Sequence, residues 1–149
     1  DSEDPVARES TRVQGAAVAG AQVSIEPKLM ESWVGPYAWH GMITGAVGEA
    51  SKESLLANYA KHEATLREFS PINHLSQDDP PIFMAYDGDL SLPAKSYGHA
   101  IHHGLFGVKF KEKSGEIGHD RAYLSAGDQY KSKYFGPRDF VIKMLTAEK

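Results

Sequence analysis

Asp78-Asp79-Pro80-Pro81-Ile82-Phe83-Met84-Ala85-Tyr86-Asp87-Gly88-Asp89-Leu90-Ser91-Leu92-Pro93 is the stretch that decides the fold. Five apolar residues, Ile82 to Tyr86, stand between a Pro-Pro start and an Asp-Gly-Asp stop. A run that is apolar without alternation predicts a strand covered on both faces, as in a parallel sheet flanked by helices. Pro81 is tolerated at the head of such a strand, where the hydrogen-bond ladder has barely begun. The loop that follows carries Asp87 and Asp89, and in open α/β sheets ligands gather at the carboxyl ends of strands. Turn formation is the competing reading of both aspartates, since Asp-Gly favours tight turns.

Working outward toward the N-terminus, Ser51 opens the clearest helix. A capping hydroxyl there satisfies an orphan N–H, and Glu53 suits the positive end of the helix dipole. Leu55, Tyr59, Leu66 and Phe69 share a face, and Ser70-Pro71 stops the helix. Lys28 to Gly48 holds both tryptophans, several glycines and Pro36, with no sustained period. It predicts a helical turn around Leu29–Val34 and then an irregular excursion. Its aromatics, Trp33, Tyr37 and Trp39, cover a core edge or line an apolar pocket. Residues 12–25 are small and apolar, and Val13, Val18 and Val23 favour a buried strand over an alanine-rich helix, closed by Pro27. Asp1 to Glu9 is polar and reads as surface or linker.

Toward the C-terminus, His99-Ala100-Ile101-His102-His103 leads into a helix over Leu105–Lys113, with Gly115 and Gly118 at its end. Arg121 to Leu124 is a short strand. Pro137 starts a terminal amphipathic helix carrying Phe140, Val141, Met144 and Leu145. Strand, helical excursion, strand, helix, strand, helix is the order of an α/β fold with a parallel sheet and right-handed crossovers. Three strands make a small sheet with an open edge, so the chain is expected to be part of a larger α/β domain.

Composition narrows the function classes. With 149 residues, 41% hydrophobic and 24% charged, the chain has the make-up of one globular domain with a core. A formal net charge of −4 gives no electrostatic reason to expect nucleic acid or an anionic membrane surface. The absence of cysteine excludes disulfides, thiolate metal sites and a cysteine nucleophile. No apolar run approaches the roughly 18–20 residues of a membrane span. The opening Asp1-Ser2-Glu3-Asp4 has no basic and apolar character, so no signal peptide is expected in it.

Order and residues together resemble the C-terminal half of an α/β-hydrolase of the esterase/lipase type. The likeness is to a bacterial branch with a segment like Ser70-Pro71-Ile72-Asn73-His74-Leu75 and Asp79-Pro80-Pro81 before the strand. After it come Ile101-His102-His103, Phe106-Gly107, Lys111-Glu112-Lys113 and Gly118. The resemblance implies a hydrolase of small carboxylic esters needing no cofactor, with residues 28–69 as cap or lid over an acyl pocket. It implies a catalytic acid in the loop after Ile82–Tyr86, four residues before a proline. Asp89 and Pro93 have that spacing, and Asp87 is the second choice. The family's histidine follows the next strand beside a glycine, but there the chain has Gly127-Asp128. No Gly-x-Ser-x-Gly elbow occurs, and in the family it lies upstream of the matching part.

Two other arrangements of the histidines follow from spacing. His102 or His103, close behind the acid loop, takes the missing base's place. Alternatively His99 with His102 or His103 shares a helix face and, with Asp87 or Asp89, holds a metal; the resemblance accounts for His102-His103 without one. His74 and His119 read as surface or capping residues, and Asp78 and Asp79 as structural. The functional expectations are therefore an ester hydrolase, an inactive pseudo-hydrolase serving as a binding module, and a homodimer paired through the open sheet edge.

Overall fold

The structure, a computed structural model, describes residues 3–8 and 12–146; part of the polar opening expected over Asp1–Glu9 lies outside them. Its centre is a three-stranded parallel sheet of β1 (Ala16–Ala19), β2 (Ile82–Tyr86) and β3 (Ala122–Ala126), in that order, flanked by helices. The fold class is thus α/β, as the sequence predicts. Ala16 pairs with Ile82 and Ile82 with Ala122, so the strands run in register and end together. Their shared C-terminal edge is where Asp87 begins.

The continuous apolar run of β2 is explained by its surroundings. Ile82, Met84 and Tyr86 face the main core with Val18, Ala122, Leu124 and Ala126. Phe83 and Ala85 face the opposite side, where Tyr134 and Phe140 cover them together with Ala17, Tyr123 and Met144. Phe83 and Met84 are both fully buried, which a strand with one wet face cannot achieve.

Between β1 and β2 the chain forms α1 (Pro27–Val34), α2 (Gly41–Ala46), α3 (Lys52–Ala57) and α4 (Tyr59–Glu68). Three expectations need correction here. The strand expected over 12–25 is paired only at Ala16–Ala19, because Gly20 turns left-handed with φ of 55°. Pro27 opens α1 rather than closing a strand, since its fixed φ suits the first helical turn. The helix from Ser51 breaks at Asn58, whose φ of −104° and ψ of 12° leave the helical region. Ser51 does cap as expected, its Oγ accepting from the Ser54 N–H at 3.1 Å. Leu55, Tyr59 and Leu66 are buried, whereas Phe69, past the end of α4, is 68% exposed.

After β2 come α5 (Tyr97–Ile101) and α6 (Leu105–Glu116), and α7 (Pro137–Thr146) follows β3. Helix α6 packs on β2 and β3, and α7 on β1 and β2. Gly107 brings α6 unusually close to the sheet: a Cβ there would fall 2.4 Å from the Tyr86 ring and 2.5 Å from Leu124. Residues 27–75 fold over the main-core face and touch the acid loop, where the Ala94 N–H donates to the Val34 carbonyl at 2.8 Å. No helix of the described residues is long and apolar enough to cross a membrane.

Candidate functional site

A cleft of about 440 Å³ lies at the C-terminal edge of the sheet, lined by Asp87, Asp89, Lys95, Ser96, Gly98, His99 and His102. It therefore unites the acid loop with α5. Ser96 sets the start of α5 by accepting from the His99 N–H at 3.2 Å. Asp87 and Asp89 build the loop as nested turns: Asp87 Oδ1 accepts from the Asp89 N–H at 3.3 Å, and Asp89 Oδ1 accepts from the Ser91 N–H at 3.0 Å and the Ser91 hydroxyl at 2.6 Å. The other Asp89 oxygen, Oδ2, accepts from Lys95 Nζ at 2.7 Å. Lys95 and then Ser91 hold the Asp89 carboxyl well below the usual carboxylate range. Among the described residues, no histidine nitrogen is bonded to that carboxylate.

The three clustered histidines have different hydrogen-bond states. His99 is engaged at both nitrogens: Nδ1 accepts from the Lys95 N–H at 3.1 Å, and Nε2–H donates to the Asp89 main-chain carbonyl at 2.9 Å. His103 is also engaged at both. Its Nδ1 accepts from the Leu105 N–H at 3.1 Å at the start of α6, and Nε2–H donates to the Ser91 carbonyl at 3.3 Å. Burial pushes the His103 imidazole below its ordinary value. Both rings are pinned as neutral tautomers that brace the loop.

His102 is the exception. Its Nδ1–H donates to the Gly20 carbonyl at 2.8 Å, across 82 residues of sequence. His102 is exposed and lines the cleft, and among the described residues its Nε2 has no hydrogen-bond partner. Of the two base candidates, the geometry thus leaves His102 open and closes His103. The metal alternative gains nothing from this arrangement: among the described residues, no three histidine or carboxylate side chains converge to hold an ion.

Asp128, which stands where the resemblance calls for histidine, is almost fully exposed and pairs with Lys131 at 3.1 Å. Asp79 stands at the opposite end of the sheet as expected, its carbonyl accepting from Arg121 at 2.6 Å and its carboxylate from the Ser76 N–H at 2.8 Å. His74 caps as expected, donating from Nε2 to the Glu68 carbonyl at 2.6 Å. The surface reading of His119 is corrected: it is 2% exposed, with Nδ1 hydrogen-bonded to the Ser114 hydroxyl and Nε2–H donating to the Asp79 carbonyl.

Sequence reasoning passed over Lys95, Gly20 and Tyr86. Lys95 sits six residues from Asp89 in the same loop, so its spacing was readable. Gly20 and Tyr86 carry no local sign of their contacts. No protein-family model, curated protein or solved structure matches the chain.

Proposed function

We propose that this chain carries the acid loop and base of a carboxylic-ester hydrolase of the α/β-hydrolase, esterase/lipase type. One observation carries the reading: His102 stands at the cleft with Nδ1–H anchored and Nε2 open, beside the loop holding Asp87 and Asp89. An imidazole anchored through Nδ1–H has Nε2 as the atom available to act as a general base. Nε2 takes the proton of an attacking oxygen as it adds to the ester carbonyl, and returns it to the departing alkoxide. No Gly-x-Ser-x-Gly occurs in these 149 residues, so the attacking oxygen is not that of an elbow serine within them. Position supports the reading as well, since the cleft lies beyond the carboxyl ends of parallel strands.

A second reading, an inactive pseudo-hydrolase that binds without turnover, is favoured by Asp128 in place of the family's histidine. Hydrolysis of p-nitrophenyl acetate by the protein and by His102→Gln separates the two. The hydrolase reading expects a loss of about 10²–10⁴-fold in the variant. An unchanged rate in the variant would remove His102 from the chemistry. No hydrolysis by the wild-type protein, with an ester-derived carboxylate still bound, would favour the pseudo-hydrolase.

A further inference from the structure

We propose that His102 is positioned by the main chain at the exit of β1 rather than by a carboxylate, and that Tyr86 is the residue holding that main chain in place. The inference rests on His102 as the base and specifies what orients it. Gly20, the residue after β1, is fixed from β2 through its N–H, which donates to the Ala85 carbonyl at 2.8 Å. Its φ of 55° turns its own carbonyl toward α5, where it meets His102 Nδ1–H. A Cβ at position 20 would fall 3.0 Å from that nitrogen, so both the backbone conformation and the close approach call for glycine.

The next carbonyl, that of Ala21, accepts the Tyr86 hydroxyl at 2.8 Å. Ala85 and Tyr86 are consecutive residues of β2, so one strand grips the Gly20–Ala21 segment at two adjacent points. The Tyr86 ring is wedged by Gly107 of α6, where a Cβ would stand 2.4 Å from it. Burial raises the phenol's pKa above its ordinary value, so the hydroxyl remains a donor wherever the imidazole titrates. The carboxylates have other duties: Asp89 holds Ser91 and Lys95, and Asp87 holds the Asp89 N–H. A carbonyl dipole in the orienter's place fixes the tautomer as a carboxylate would. It gives a developing imidazolium less stabilisation than a full negative charge.

The test is ¹⁵N NMR of the ring nitrogens in histidine-labelled full-length chain, at a pH where the imidazole is neutral. In the wild type His102 shows a protonated Nδ1 and a bare Nε2. Tyr86→Phe keeps the ring and deletes the hydroxyl; with the amide spectrum otherwise intact, the Nδ1–H tautomer falls by about twofold or more. Asp89→Asn leaves the His102 nitrogens where they were. If Tyr86→Phe does not fold, Gly20→Ala takes its place, with the same loss expected. An Nε2–H tautomer in the wild type, an unmoved tautomer in these variants, or a shift in Asp89→Asn would overturn the proposal. The tautomer is read without any turnover, so a protein that passes this test yet hydrolyses no ester keeps the positioning and loses the hydrolase reading.

Discussion

At each end of the sheet one histidine donates from a ring nitrogen to a distant main-chain carbonyl, and the two differ in what the other nitrogen does. His119, at the N-terminal end, gives Nε2–H to the Asp79 carbonyl while Nδ1 is hydrogen-bonded to the buried Ser114 hydroxyl at 2.6 Å. His102, at the C-terminal end, gives Nδ1–H to Gly20, and its Nε2 has no partner among the described residues. The bond to the carbonyl is common to both, so it does not distinguish chemistry from structure. The remaining lone pair does. A saturated ring ties elements together; a half-saturated ring at a cleft can move a proton.

The contrast predicts opposite results for the same kind of substitution. On the proposed hydrolase reading, His102→Gln, at an exposed position, lowers ester turnover by about 10²–10⁴-fold and leaves the urea midpoint almost unmoved. His119→Ala does the reverse, costing about 2–4 kcal/mol because it opens a cavity and strips Ser114 of a partner, with turnover per folded molecule unchanged. Urea melts beside initial rates check both, and a stability loss at His102 equal to that at His119 would erase the distinction.

Acid sharpens the comparison next. Burial lowers the pKa of His40 and of His103, so the folded chain takes up these protons less readily than the unfolded one. Their stabilisation is complete above the ordinary value of 6.5 and is lost as pH falls through it toward the lowered folded-state values. The urea midpoint is therefore lower at about pH 5.5 than at about pH 7.5, and His103→Gln reduces the difference. The smallest effect belongs to the exposed loop. Lys95→Met returns the Asp89 carboxyl toward its ordinary value, read by carboxyl ¹³C titration. Because Asp89 is held low in the native loop, its contribution is present above the ordinary carboxylate range and disappears as pH falls below it.

How much of this was legible depended on the distance of the partner along the chain. Strand β2 was readable to the residue because Pro80-Pro81 and Asp87-Gly88 bracket it. Ser51 announced a cap whose N–H donor lies three residues on. Asn58 broke the helix although no Gly or Pro marked the place, and Tyr59, the first residue after the break, is buried. The acid loop and its aspartates were legible as turn formers and as cleft residues. The decisive bonds were not, since His102 reaches Gly20 over 82 positions and His119 reaches Asp79 over 40. Periodicity registers which face a residue is on; it carries no record of which carbonyl will be waiting there.

Gly88 in the acid loop and Gly127 after β3 approach so closely that a Cβ on either would lie 2.8 Å from the other's Cα. The two turns are consequently a single mechanical joint, with no clearance for a side chain on either half. An alanine at one position must part the loops, and a second alanine opposite then adds little further contact strain, although at Gly127 the left-handed φ of 63° carries its own cost. The contact part of the two defects is therefore shared, so the double variant would lose less than the sum of the two single ones.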